Sequence, residues 1–373
     1  MRGAALEEAL PRAAEIVADV RARGDAALLD WTERLDGERP ASLRVSAAAL
    51  EAATLDDEAL MALNQLALAI EAFVRPQRPP DVELEAVPGV RAARRWLPLS
   101  SVGVYVPGGR APLISSLAMA VVPARVAGVE RIAVATPKPS ATMLAAARAL
   151  GVDEVYAVGG AQAIAALAYG TESVLRVDKI VGPGNRFVTA AKLLVSAAVA
   201  IDLPAGPSEV VVIADATAPR AQVLADLLAQ AEHGPDSVAV LFTTDESLAA
   251  AASNLVAQSH KIASLEEALA RAEEYAPEHL ELWVEDAAAL AGRVRNAGTV
   301  FIRTSAVVGD YAAGATHVLP TGGLARGAGG MGLETFLKPV QLVEAFDLEA
   351  ARAIGLPLAR VEGMERHAEA LRT

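Results

Sequence analysis

SVGVYVPGGRAPLISSLAMAVVPARVAGVERIAVAT (101–136) passes from an apolar strand through a glycine turn and a helix into a second apolar strand. The pattern recurs in EVYAVGG (154–160) followed by AQAIAALAY, and in KIVGPG (179–184) followed by a helix beginning near Asn185. Strand, glycine turn and helix in alternation predict parallel βαβ units with right-handed crossovers. A second series opens at SEVVVIAD (208–215) and runs through the helix PRAQVLADLLAQAEH, the strand SVAVLFTT, two helices, HLELWV and GTVFI. The expected fold class is α/β, with two doubly wound modules.

Working outward, residues 1–75 show apolar positions at helical spacing, and the polar break RPQRPP (75–80) ends them. VELEAVPGVRAARRWLPL (82–99) alternates about a Pro-Gly turn and predicts a hairpin at a sheet edge. Beyond GTVFI comes a glycine-rich loop, then TGGLARGAGGMG (321–332) and a tail expected to be mostly helical.

The chain has 373 residues, 53% of them hydrophobic, and carries a net charge of −13. That length accommodates two domains. The acidic balance, with no basic run, argues against a nucleic-acid partner, because phosphate backbones are bound by clustered Lys and Arg. No segment supplies the ~18 apolar residues of a membrane span, and the acidic N-terminal stretch lacks a signal-peptide core, so a soluble, cytoplasmic protein is expected. There is no cysteine, which removes disulfides, thiolate metal sites and cysteine nucleophiles from consideration.

Four of the five histidines fall in short polar clusters: QAEHGPD (230–236), APEHLEL (276–282), GDYAAGATHVLP (309–320) and VEGMERH (361–367). Gln230 and His233 are three residues apart, on one face of a helix that Gly234-Pro235 ends, so both can reach one metal ion; a histidine complementing the helix dipole explains the spacing equally. Glu278 and His279 open a strand, where imidazole could accept a proton from an alcohol, although strand neighbours face opposite ways. Asp310 and His317 are placed on the glycine-rich loop at the carboxyl end of a strand, where open α/β sheets bind ligands; Asp310 could instead cap a turn. Glu362 and Arg366 read as a surface ion pair, with His367 beyond them. The turns VYVPGG (104–109), VGGAQ (158–162) and VGPGN (181–185) each open a helix with amides suited to anions, without the three-glycine dinucleotide fingerprint.

Taken in order, VYVPGGRAPL, GGAQAIAALAYG, VDKIVGPGN, LPAGPSEV, QAEHGPD, YAPEHLEL, GDYAAGATHVLPTGG and VEGMERH resemble the histidinol dehydrogenase family from about residue 100 onward. The resemblance implies two Rossmann-like domains in an aldehyde-dehydrogenase-like arrangement. An N-terminal arm would cover 1–20, a first domain 21–103 with 210–331, an NAD-binding domain 104–209, and a tail reaching a partner subunit 332–373. It also implies a zinc-dependent homodimer with shared sites that oxidises L-histidinol to L-histidine through L-histidinal with two NAD, in the last steps of histidine biosynthesis.

Carried over by motif, Gln230, His233, Asp310 and His367 would hold zinc, the last donated by the partner. Ser208, His317 and Glu362 would contact substrate, alongside the zinc ligands and His279. Tyr105, Gln162 and Asn185 would hold NAD. His279 would be the general base and Glu278 the activator of water, which must be the nucleophile because no cysteine is present. Zinc would act as a template for the substrate's nitrogens. Ala315-Thr316 before His317 and the stretch TGGLARGAGGMGLETF depart from the family pattern, and the N-terminal arm is short. From residues alone, a zinc hydrolase or a non-catalytic ligand-binding dimer are the rival readings.

Overall fold

The computed structural model describes residues 4–108, 112–234, 236–256 and 258–373. Residues 109–111 of PGGRAPL, including the last glycine of the first turn, and Pro235 after QAEHG lie outside the described residues. Four helices lead: α1 (Ala4–Arg23), α2 (Asp25–Asp36), α3 (Ala47–Ala52) and α4 (Asp57–Val74). The hairpin β1 (Val82–Val87) and β2 (Val90–Pro98) follows. The first parallel series is β3 (Ser101–Tyr105), α5 (Ile114–Ala127), β4 (Arg131–Ala135), α6 (Ala141–Ala149), β5 (Glu154–Tyr156), α7 (Gly160–Tyr169), β6 (Lys179–Val181), α8 (Arg186–Val195) and β7 (Ala200–Ile201). The second begins with β8 (Glu209–Ala214), α9 (Arg220–Ala231), β9 (Val238–Thr243), α10 (Glu246–Ala252) and β10 (Gln258–Lys261). It continues with α11 (Leu265–Tyr275), β11 (His279–Trp283), α12 (Ala287–Ala291), β12 (Thr299–Ile302) and α13 (Ala306–Tyr311). The tail is β13 (Leu337–Ala345), α14 (Glu349–Val361) and α15 (Glu365–Arg372).

Both expected modules form, with the same topology. The sheets run β5-β4-β3-β6-β7 and β10-β9-β8-β11-β12, parallel throughout, so each reverses direction beside its first strand. SVGVY, EVVVIA and HLELW are buried at every position, which is what a sheet covered on both faces demands. Alternate side chains supply the two cores: Val211 and Ile213 of β8 enter one with α11 and α12, while Val210, Val212 and Ala214 enter the other with α9.

Three expectations are corrected. Residues 21–103, assigned to the metal-bearing half, pack elsewhere: α2 lies with α1, α7 and α8 on one face of the first sheet, and α3 and α4 lie with α5 and α6 on the other. The tail is not wholly helical, because β13 pairs antiparallel with β2 from Leu337↔Pro98 to Ala345↔Val90. Its alternation of apolar and polar residues is a strand pattern that the glycine-rich stretch before it obscured. The hairpin forms with β1 at an edge, as expected, but of a separate three-stranded sheet, β1-β2-β13, whose third strand comes from the tail. Between β9 and β11 the chain also forms β10, whose polar sequence QSHK hides an edge strand. Among the described residues no helix is long and apolar enough to cross a membrane.

Gly182, just after β6, has φ +112°, and a Cβ there would lie 2.1 Å from the Tyr105 carbonyl oxygen. Backbone cannot give way as a side-chain tip can, so Gly182→Ala is expected to cost at least about 1–3 kcal/mol. Gly37, at φ +76° with nothing within 4 Å, meets only the conformational penalty, about 1 kcal/mol. Urea unfolding of the two variants should show the larger loss at position 182.

Candidate active site

The singled-out residues of the second sheet gather at its amino edge, not the carboxyl edge expected for Asp310 and His317. His279 begins β11 and pairs with Val210 of β8 and Thr299 of β12, both near the starts of their strands. Asp310 lies not on a loop but in α13, which turns back from the carboxyl end of β12. The following segment returns Leu319 and Pro320 to the amino edge, where a Cβ on Gly298 would meet both of them and the Glu278 carbonyl oxygen. A cavity of about 410 Å³ runs along β12, lined by His279, Thr299, Phe301, Gly309, Thr316 and His317 among others.

At this edge Glu278 and His279 share one site despite their alternation in sequence. Ala276 ends α11 in the left-handed region at φ +50°, so the chain enters β11 irregularly. Glu278 is buried, and its Oε2 accepts hydrogen bonds from Ser208 Oγ and the Glu209 amide, both at 2.8 Å. His279 Nδ1 stands 3.9 Å from that oxygen and has no hydrogen-bond partner. Burial pushes the Glu278 carboxyl up to about 8, with the Ser208 and Glu209 donors opposing and the Glu209 and Asp310 charges adding. Burial pulls the His279 imidazole down to about 3, helped by His317 and His233.

Around this pair lie most of the other singled-out residues. His317 is neutral, drawn down to about 4 by burial; its Nε2 is 2.9 Å from Ser116 Oγ and its Nδ1 3.5 Å from Asp310 Oδ1. Ser116, in the first turn of α5, went unnoticed in the sequence although it follows a glycine turn that opens a helix. Asp310 is raised to about 6 by burial, with the charge of His233 opposing, so those two side chains sense each other. Gln230 is 5% exposed with Nε2 unpartnered. His233 lies in the turn after α9 rather than on its face, since the helix ends at Ala231, and it is exposed.

Glu362 and His367 stand apart. Glu362 caps α14, Gly363 at φ +70° breaks the chain, and His367 belongs to α15, so the expected Glu362–Arg366 pair would span a helix break. Both tail residues are exposed. Among the described residues no three His, Cys, Asp or Glu side chains gather as a ready metal site.

On the first sheet the carboxyl edge carries Tyr105, Gln162 and Asn185. Tyr105 ends β3, and its hydroxyl accepts a hydrogen bond from the Gly160 amide at 3.1 Å. Gln162, in the first turn of α7, is fully buried with neither amide atom partnered. Asn185 is the N-cap of α8, its Oδ1 accepting from the Phe187 and Val188 amides at 3.0 and 3.2 Å. The cap fixes the turn and occupies that oxygen, leaving the amide nitrogen for a ligand. Behind this turn Lys192 and Asp202 form a buried ion pair. Lys192 Nζ donates to the Gly182 and Leu203 carbonyls at 2.9 and 2.8 Å, while Asp202 accepts from the amides of the same two residues at 2.8 and 2.6 Å.

Comparison with known proteins agrees with this geometry. Residues 2–373 match the family described as histidinol dehydrogenase. The histidinol dehydrogenase of Methanosarcina barkeri is 41% identical over all of this chain and 93% of its own length, and that of Deinococcus radiodurans 46% identical over 95% and 88%. The crystal structure of histidinol dehydrogenase from Elizabethkingia anophelis superposes with a TM-score of 0.88 at 35% identity, covering 97% of this chain and 91% of that one. A succinate-semialdehyde dehydrogenase from Burkholderia pseudomallei shares the fold alone, with a TM-score of 0.51 at 16% identity over 92% and 90%. The sheets, the Glu278–His279 edge and these matches together place the chain in the histidinol dehydrogenase family, as a dehydrogenase that oxidises histidinol in histidine biosynthesis.

Proposed function

We propose that the chain oxidises L-histidinol to L-histidine in two successive steps, with NAD on the first sheet's carboxyl edge and zinc on the second sheet's amino edge. The observation that carries this reading is Glu278 beside His279, an acid and a base whose environments push their proton affinities in opposite directions. His279 is neutral and its Nδ1 is free to accept the alcohol proton as hydride leaves carbon. An ionised Glu278 at 3.9 Å would steady the imidazolium that results. In the second step Glu278 takes a proton from water adding to the aldehyde. Ser208 and the Glu209 amide keep the carboxylate aimed, and the absence of cysteine leaves water as the nucleophile.

The residues fit the two groups the reaction needs. Gln230, buried with an unpartnered amide whose two ends are interchangeable by a flip, Asp310, raised by burial only to about 6 and so ionised at neutral pH, and His233 supply nitrogen and oxygen donors of the kind zinc takes. Zinc would supply a template and a positive charge for the amine and imidazole of the substrate. His317, oriented by Ser116, would contact the same substrate. For NAD, the unpartnered Gln162, the Gly182 turn with no room for a Cβ, Tyr105 and the amides opening α7 and α8 form a cradle. NAD would supply the hydride acceptor.

A shared site would complete the constellation, with Glu362 and His367 arriving from a second copy. Supporting this, α14 leaves Ile354, Leu358 and Val361 exposed at i, i+4 and i+7, an apolar stripe of the kind another chain covers. A cysteine-free biosynthetic enzyme with no membrane-crossing helix among its described residues suits the cytoplasm.

Incubated with histidinol and excess NAD, the purified protein should form two NADH for each histidinol consumed, lose this activity on chelation and regain it with zinc. One NADH per histidinol would overturn the two-step reading. Mixing His367→Ala and His279→Asn chains, each inactive alone, should restore about a quarter of wild-type activity, because half the dimers are mixed and each has one intact site. No recovery in demonstrably mixed dimers would exclude the shared site.

Glu278 also sets a pH dependence. The unfolded chain releases this proton near 4.5, whereas the folded chain holds it to about 8, so the native state binds more protons between those values. Its contribution to stability therefore falls as pH rises from 4.5 to 8, by a few kcal/mol at most. Glu278→Gln should lose less melting temperature than wild type between pH 5 and 8. It should still oxidise histidinol to histidinal, while wild-type histidinal oxidation should climb toward pH 8 as the carboxyl ionises.

A further inference from the structure

Residues 279, 281 and 283 of β11 alternate with Leu280 and Leu282, which belong to the α11–α12 core, so they face α9. Glu281 is fully buried there, two residues beyond the general base. One of its oxygens accepts from the Ala306 amide at 2.6 Å and the other from Trp283 Nε1 at 2.9 Å. Against it lies Asp226 of α9, 5% exposed, four residues before Gln230. Asp226 Oδ1 accepts from Ser305 Oγ at 2.7 Å and from Gln222 Nε2 at 2.8 Å, while Oδ2 has no donor.

Two carboxyl groups in one buried space cannot both carry charge. Burial and the neighbouring Asp226 push Glu281 up to about 8, so at neutral pH it keeps its proton. That proton has one oxygen lacking a donor to point at, Asp226 Oδ2. Three elements then meet at a single point. Asp226 belongs to α9, whose next turn delivers Gln230 and then His233. Glu281 belongs to β11, which starts with His279. Ser305 and Ala306, each bonded to a different acid, form the N-terminus of α13, which carries Asp310 on its last turn.

We propose that Glu281 and Asp226 are positioning residues whose hydrogen-bonded pair fixes α9, β11 and α13 together, and so sets the spacing of Gln230, His233 and Asp310. The inference rests on the reading that those three residues hold zinc. Neither acid touches the metal or the substrate; they act through the helix ends that carry the ligands, and partners of that kind are worth about 10–100-fold in metal affinity.

The test measures zinc affinity by competition with a chromophoric chelator, and NAD affinity by titration, on the full-length protein. Glu281→Leu and Asp226→Ala should bind zinc about 10–100-fold more weakly with NAD affinity unchanged, since the cofactor edge belongs to the other sheet. Glu281→Gln, whose amide can still donate to Asp226 and accept from Ala306 but whose nitrogen cannot accept from Trp283 Nε1, should recover part of the loss and bind zinc at least about threefold more tightly than Glu281→Leu. If Glu281→Leu does not fold, Ser305→Ala replaces it, with several-fold weaker zinc binding expected. Zinc binding equal to wild type in Asp226→Ala and in the leucine or serine variant would overturn the inference, as would a glutamine variant no better than leucine. A wild-type protein that binds no zinc would instead remove the metal reading, and the inference with it.

Discussion

A single buried ion pair, Lys192 with Asp202, fixes the place where the chain leaves one sheet for the other. Burying two charges is expensive, and the expense is tolerable only where every remaining donor and acceptor is satisfied. Here the lysine takes the carbonyls of Gly182 and Leu203 while the aspartate takes their amides, so two distant peptide segments are locked as if in a ladder. One segment is the glycine turn after β6. The other is the strap 202–208, further held by Thr189 Oγ1 on the Ala205 carbonyl and by Thr321 Oγ1 accepting from the Gly206 amide. The strap ends at Ser208 and Glu209, whose donors hold Glu278. The position of the Glu278 carboxyl thus descends from an ion pair that lies beside the other sheet.

The same seam explains the unusual proton affinities. Polar side chains are normally buried only with partners, yet His279, His317, Gln230 and Gln162 each keep at least one unpartnered atom. Such atoms cost stability unless a ligand satisfies them. At the second sheet's amino edge, burial is the leading cause of shift at Glu278, His279, Asp310 and His317, a concentration of perturbed groups of the kind that marks a candidate functional site.

How much of this the sequence disclosed depends on the range of each interaction. The βαβ alternation is local, and both sheets follow from it. The site strings were legible because unusual residues recur within a few positions: Gln230 with His233, Glu278 with His279. Direction was not legible. Asp310 sits after a strand and reads as lying at its carboxyl end, but α13 carries it back to the opposite edge, and no local pattern encodes that return. Strand β13 was hidden by the glycine stretch before it, and β10 by its polar composition. Ser116, Lys192, Asp202, Asp226 and Glu281 each look ordinary in sequence, because each has a partner far along the chain: His317 is 201 residues from Ser116, Ser305 79 from Asp226, Ala306 25 from Glu281, and Gly182 20 from Asp202 and 10 from Lys192.

The two sheets share a strand order yet gather their singled-out residues at opposite edges, and this asymmetry suits the division of labour proposed for them. A carboxyl edge offers helix N-termini, whose free amides suit the phosphates of a dinucleotide. An amino edge offers helix C-termini and strand starts, which carry no such positive end and leave ligand binding to side chains. That is where Gln230, His233 and Asp310 stand, at the ends of α9 and α13. A cation is favoured near helix C-termini for the reason that an anion is favoured near N-termini. On the proposed reading, the backbone alone would therefore sort the two groups, the anionic cofactor to one sheet and the cationic metal to the other.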